Sequence, residues 1–243
     1  MNTVKLEECF VGESILNYED LLEMLDDELR EPKQFWEDFY EDRTKNIPFF
    51  KVKGPDENLV EYFSEGLSPK KVLELGAGPG RNSIYMAKQG SSVSAIDLSN
   101  KAIEWAKERA DEEGLNLDFH CVSLFNFEFE PNSYDFIYDC GMFHHLAPHR
   151  RLTYLEIIKK ALKKGGYFGI VCFNTDGALD IPDWDVYKEK SLKGGIGYSE
   201  ERLKEIFNKD FDILNFRKMK KPSLSDDLFG EDFLWTSLMQ IKS

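Results

Sequence analysis

The stretch "VLELGAGPGRN", residues 72–82, decides the fold. Val72, Leu73 and Leu75 make a buried-strand pattern that stops at three glycines, Gly76, Gly78 and Gly80. Glycines between a strand and a helix let a ligand approach main-chain N–H groups that side chains would otherwise shield. The same glycines also suit a tight strand-to-helix turn with no ligand, so the loop needs a second feature in register. The next strand-like run, "VSAIDLS", supplies it by ending at Asp97, 21 positions beyond Gly76. That separation matches an acid placed to accept hydrogen bonds from a ribose diol. Ser99 already suits the N-cap of the following helix, which leaves Asp97 free for a ligand.

The surrounding pattern is α/β. Strand-like runs fall at Lys71–Leu75, Ser92–Asp97, Leu117–Val122, Tyr134–Asp139 and Tyr167–Phe173. Helix-like runs fall at Arg81–Gln89, Lys101–Glu113 and His149–Lys163, the last with Pro148 suited to open it. Such alternation predicts parallel βαβ units with right-handed crossovers. Glu200–Asn208 then reads as a helix, and Phe211–Arg217 and Phe233–Ile241 as two strands with no helix between them.

Residues 1–65 stand apart. Asp20–Leu29 and Lys33–Asp42 read as amphipathic helices. "FWEDFYEDRTKNIPFF", residues 35–50, concentrates aromatics and predicts a lid over the carboxyl edge of the sheet, with Trp36, Tyr40, Arg43 and Phe49 facing substrate. Its bland alternative is a segment permanently docked on the domain. Residues 174–198 form a second insertion on the substrate side.

The chain of 243 residues suits one domain: extension and lid at 1–65, core at 66–173, insertion at 174–198, and a helix with two strands at 199–243. Its net charge of −14 argues against a nucleic-acid partner, and "RKMKK" at 217–221 reads as a solvated edge. Residues 1–31 hold ten Asp or Glu against Lys5 and Arg30, unlike a secretory signal or transit peptide. No apolar run approaches the roughly 20 residues that span a bilayer. Cys9, Cys121, Cys140 and Cys172 are scattered without metal-ligand or disulfide spacing, so a reducing cytoplasm and no metal are expected.

Pro79 removes an N–H from a loop that would otherwise cradle pyrophosphate, which favours S-adenosylmethionine over a dinucleotide. Here the sequence resembles the class I S-adenosylmethionine-dependent methyltransferases. "VLELGAGPGR" is similar to their first motif and "AIDLS" to the acidic end of their second strand. "YDFIYDCGMFHHL" is similar to their fourth strand and its loop, and "LKKGGYFGIVCF" to the approach to their fifth. The resemblance spans about residues 60–243. It implies a Rossmann-like seven-stranded sheet in the order 3-2-1-4-5-7-6, strand 7 antiparallel, with helices on both faces. By the same resemblance Gly76, Ala77, Gly78 and Gly80 would run beneath the methionine and ribose, with Glu74 ordering the loop. Asp97 would bind the ribose hydroxyls, Leu98 would pack on adenine, and Ser123 or the backbone of Leu124 would hold the adenine amine. Asp139, Cys140 and Gly141 would face the methionyl amine and the transferable methyl.

The candidate proton acceptors are His144 and His145, against a structural reading in which one packs and one caps the next helix. Pro148 breaks the geometry of a His145–His149 metal pair. No Asn/Asp-Pro-Pro-Tyr/Phe motif follows the fourth strand, which counts against methylation of base or glutamine amines. "YDCG" with the aromatic N-terminal segment resembles the thiopurine and tellurite methyltransferase group, with Cys140 in place of an Arg. The expected function is methyl transfer to a small-molecule acceptor by a monomer or homodimer. The alternatives are a protein or RNA methyltransferase, a NAD-dependent oxidoreductase and a non-catalytic S-adenosylmethionine binder.

Overall fold

Seven strands form one sheet in the order β3-β2-β1-β4-β5-β7-β6. They are β1 Lys71–Leu75, β2 Ser92–Asp97, β3 Asp118–Cys121, β4 Tyr134–Cys140, β5 Leu162–Phe173, β6 Phe211–Lys218 and β7 Leu234–Ile241. The first five are parallel to one another, and β7 runs antiparallel between β5 and β6. The computed structural model describes residues 14–223 and 225–242, so Cys9 and the start of the acidic segment lie outside the described residues.

Alternation along the strands sorts two cores. Leu73, Leu75 and Ile137 face one side with Tyr154 and Ile158 of α7 (Arg150–Ala161) and Phe207 of α9 (Glu200–Phe207). Val72, Phe136 and Tyr138 face the other with Leu59 and Tyr62 of α4 (Glu57–Ser64) and Met86 of α5 (Arg81–Lys88). On the same side α6 (Asn100–Glu112) packs Ile103 and Ala106 against Ala95 and Phe119.

Several boundaries differ from expectation. Pro148 stands one residue before the cap His149 rather than at the first helical position. β5 begins at Leu162 rather than Tyr167, taking Leu162 and Lys163 from the expected helix, because a bulge with Gly165 at φ +74° lets pairing resume from Tyr134↔Leu162 to Phe136↔Tyr167. Helix α4 was not among the expected elements, although Leu59 and Tyr62 share its buried face.

The extension forms α1 (Tyr18–Asp27), α2 (Pro32–Glu41) and the one-turn α3 (Pro48–Lys51), which Pro48 opens from its first position. Asp26 of α1 bonds His149 Nε2 at 2.8 Å and Arg150 Nη2 at 2.5 Å, docking that helix on the start of α7. The insertion carries α8 (Asp183–Lys188), whose Trp184 points to solvent. The basic 217–221 cluster is matched by acids: Arg217 pairs with Glu57 and Glu61, Lys218 with Asp176, Lys220 with Glu61, and Lys221 with Glu231 and Asp232. Among the described residues no helix is long and apolar enough to cross a membrane.

Candidate cofactor and acceptor site

The glycine loop leaves β1 at the carboxyl edge of the sheet with Gly76, Gly78 and Gly80 all at positive φ (64°, 51° and 74°). Each is closely approached. A Cβ on Gly76 would lie 3.0 Å from Met142 Cβ, on Gly78 2.8 Å from the Tyr40 hydroxyl, and on Gly80 2.9 Å from Ala106 Cβ. Ala77 is buried and donates its N–H to the Ile96 carbonyl, tying the loop to β2. The Gly78 N–H donates to Asp97 Oδ2 at 2.9 Å, and the Ser99 N–H donates to Asp97 Oδ1 at 2.9 Å. The two features paired in the sequence therefore meet at the carboxyl ends of the adjacent strands β1 and β2.

Burial pushes the Asp97 carboxyl up to about 6, against the pull of the Ser99 and Gly78 amides. An ionised carboxylate accepts a diol's O–H groups better than a carboxylic acid does. Affinity for S-adenosylhomocysteine is therefore expected to rise between about pH 5 and about pH 7.5 as Asp97 loses its proton. Asp97→Asn should flatten that rise and weaken binding about 10- to 100-fold at neutral pH, the scale of a lost charged hydrogen bond. Calorimetric titration across pH checks both.

Glu74 lies beneath the loop rather than at its rim. It accepts from Ser83 of α5, and burial raises its carboxyl to about 8. Beside it is a cluster that sequence reading missed. Asp56, fully buried, pairs with Arg81 at 2.9 Å and accepts from Asn82 Nδ2 at 3.1 Å and the Tyr138 hydroxyl at 2.7 Å. Asp56 occupies the N-cap position of α4, yet its side chain makes no cap bond and turns to Arg81 instead. The Cys140 thiol faces the same cluster, and burial with Asp56 nearby pushes it well above its ordinary value. It is held as a thiol, which gives no support to a nucleophilic role.

Asp139 is turned to the other face of β4. Its carboxylate accepts from the Tyr154 hydroxyl at 2.6 Å, the Met142 N–H at 2.8 Å and the Phe143 N–H at 3.3 Å. Instead of facing a ligand amine, it shapes the loop that carries Gly141 (φ +97°) and the histidines. Ser123 likewise spends its oxygen locally, accepting from Phe125 N–H at 3.3 Å, and the Leu124 side chain is buried in the main core. Leu98 is half-buried, and its carbonyl accepts from the Cys121 thiol.

His144 and His145 meet at a junction of three segments. The His144 ring stacks on Phe173 at 3.8 Å and its Nδ1 accepts the Phe173 N–H at 3.2 Å. Its carbonyl accepts from Ile196 of the insertion at 2.8 Å. His145 meets Trp36 of α2 edge-on at 4.9 Å. Burial lowers His144 well below the ordinary histidine value, and burial with Arg30 nearby lowers His145 to about 4. Burial disfavours the charged form of both rings, so each is free to accept a proton at pH 7 but holds it weakly, which makes the pair a poor general base.

The four residues expected of a lid divide. Trp36 reaches His145 and Tyr40 reaches Gly78. Arg43 and Phe49 anchor the segment instead: Arg43 grips Glu108 at 2.5 Å over the Trp105 ring, and Phe49 packs on Phe39, Phe50 and Phe229. Glu37, which sequence reading passed over, accepts from Asn100 N–H at 2.9 Å, Ser99 Oγ at 3.0 Å and Lys101 N–H at 3.3 Å at the start of α6.

Residues 72–166 match a family model described as a methyltransferase domain. A ubiquinone biosynthesis O-methyltransferase of Idiomarina loihiensis is 30% identical over 120 residues, 49% of this chain and 49% of that protein. A probable S-adenosyl-L-methionine-dependent methyltransferase, TehB, of Haemophilus influenzae is 31% identical over 152 residues, 63% of this chain and 49% of the relative. The chain spans about half the length of these two relatives. The crystal structure of TehB from Haemophilus influenzae superimposes with a TM-score of 0.57 at 25% identity, over 76% of this chain and 62% of that one. The 1,6-didemethyltoxoflavin-N1-methyltransferase of Burkholderia thailandensis, solved with 1,6-didemethyltoxoflavin and S-adenosylhomocysteine bound, gives 0.64 at 20% identity over 96% and 93%. At that identity the likeness is one of fold.

Proposed function

We propose that this chain, whose core is a class I S-adenosylmethionine-dependent methyltransferase domain, transfers a methyl group to a small-molecule acceptor. The observation that carries the reading is the bond from Gly78 N–H to Asp97, which joins the bare loop and the ribose-type acid beneath α2. The residues suit the cofactor on three counts. A Cβ at Gly78 would crowd the space over the loop. Asp97 stands where a diol would be held. The Tyr40 side chain is buried over the loop with no hydrogen bond to its hydroxyl among the described residues. That relatives named for ubiquinone biosynthesis and for a quinolone act on small molecules supports an acceptor of the same size class.

When bound, the cofactor supplies an electrophilic methyl on a sulfonium, which leaves as S-adenosylhomocysteine when an acceptor lone pair attacks from behind the carbon–sulfur bond. The protein's share is alignment and exclusion of water. Asp97 and the loop fix the nucleoside end, and Trp36 and Tyr40 cover the carboxyl edge. Asp139 sets the path of the loop that carries His144 and His145 beside Trp36 and Phe173. With its charged form disfavoured by burial, His145 would orient the acceptor as a hydrogen-bond partner, and a proton lost by the acceptor would pass to water rather than stay on the ring.

His145→Gln is therefore expected to reduce turnover less than about 10-fold and to leave the shape of the pH–rate profile near neutrality intact. A general base would cost about 10²–10⁴-fold and remove an ionisation. Turnover against a panel of metabolite acceptors, read as S-adenosylhomocysteine release, tests the function itself. Release that requires a protein or RNA acceptor, with none from any small molecule, would overturn it.

A further inference from the structure

Helix α2 presents a single face to the site, with contacts at residues 36, 37 and 40. Trp36 meets His145, Glu37 meets the first turn of α6, and Tyr40 lies over Gly78. The cover is tight: Asp97 is 8% exposed, Ala77 is 7% exposed and Ser99 is fully buried. A ligand lying along the glycine loop to Asp97 cannot pass Tyr40 and Glu37 while α2 is in this position, so exchange of that ligand requires α2 to lift.

Beside the apolar packing of Trp36 and Tyr40 with Phe50, Ala102 and Trp105, the buried polar contacts that resist lifting centre on Glu37. Helix α6 leaves its first N–H groups without partners inside the helix. Ser99 Oγ serves one of them, accepting from Ala102 N–H at 3.2 Å. Glu37 serves Asn100 and Lys101 from 63 and 64 positions away in sequence, and it also accepts from the Ser99 hydroxyl. A carboxylate at a helix N-terminus is favoured by the helix dipole as well as by its bonds. These partners hold the Glu37 carboxyl below its ordinary value despite burial. Ser99 ties the contact to the nucleoside subsite, since its N–H donates to Asp97 while its hydroxyl donates to Glu37. Two further polar ties to α6, from Glu41 of α2 to Lys101 and from Arg43 just beyond α2 to Glu108, are half-exposed and screened.

We infer that Glu37 is the latch of the lid, a positioning residue that sets how fast S-adenosylmethionine and S-adenosylhomocysteine exchange. The inference rests on the proposed cofactor but not on any acceptor. Losing the charge weakens the bonds that α2 must break to open and replaces one accepting oxygen by an NH2 that cannot accept, while Asp97 and the loop remain. Glu37→Gln keeps the shape of the side chain and lowers its charge.

The test preloads the full chain with radiolabelled S-adenosylhomocysteine and follows its release during a chase with excess unlabelled compound. Release from Glu37→Gln is expected to be about 10- to 100-fold faster than from wild type, the span of one to two lost charge-assisted hydrogen bonds. Arg43→Gln, on one exposed tie, is expected to change release less than about 3-fold. Hydrogen exchange over residues 33–43 of the free protein, expected to quicken in Glu37→Gln and not in Arg43→Gln, reads the latch even without ligand. Equal release and equal exchange in wild type and Glu37→Gln would overturn the inference, as would equal acceleration by both variants. Failure of wild type to bind S-adenosylhomocysteine would instead count against the proposed cofactor.

Discussion

Gly78→Val is expected to leave no measurable S-adenosylmethionine binding and no turnover, while the protein still melts cooperatively. Gly78 sits at φ +51°, which a β-branched residue tolerates poorly. Its new Cβ would also start 2.8 Å from the Tyr40 hydroxyl, so either the loop or α2 must move. Strain of about 1–3 kcal/mol together with steric blockade places the loss at about 100-fold or more in affinity. Gly90→Ala separates the two causes. Gly90 also has positive φ, at 92°, but a Cβ there meets nothing within 4 Å. It should carry a strain cost in melting temperature and bind the cofactor normally. Titration calorimetry on both variants checks the pair, and Gly78→Val binding within a few-fold of wild type would remove the glycine loop from the site.

Asp56→Ala should produce a large loss of stability. The Asp56–Arg81 pair is buried on both sides, and Asp56 also receives Asn82 and Tyr138. Removing one partner leaves the other charge buried and uncompensated, which costs about 3–5 kcal/mol. In a chain of this size each kcal/mol moves the melting temperature by about 2–4 °C, so a fall of about 6–20 °C is expected. Asp56→Asn, which keeps the shape and a hydrogen-bonding group but not the charge, should fall part of the way. Differential scanning calorimetry reads both. A shift under about 2 °C for Asp56→Ala would mean that water or another group satisfies Arg81.

The glycine loop and Asp97 were legible because the chemistry demands particular residue types at a fixed spacing on neighbouring strands. The sheet order was legible through the family resemblance, since periodicity alone gives the strands and not their order. Asp56 and Arg81 were not legible: they lie 25 positions apart, and only the packing of α4 against α5 brings them together. Glu37 was hidden for the same reason, its partners being supplied by the start of another helix. Asp139 is a different case, because strand alternation already placed it on the face of Ile137 rather than of Tyr138. Reading that parity would have assigned it to the core beside α7. The pattern of rings in 35–50 predicted a cover over the carboxyl edge. It could not separate Trp36 and Tyr40, which reach His145 and Gly78, from Arg43 and Phe49, which reach Glu108 and Phe229 instead.

The most direct test of the account is calorimetric titration of the purified full chain with S-adenosylmethionine, S-adenosylhomocysteine and NAD. The account predicts saturable binding of the first two at one shared site, weakened in Asp97→Asn, and no heat of binding from NAD. Saturable binding of NAD with none of either sulfur nucleoside would contradict it.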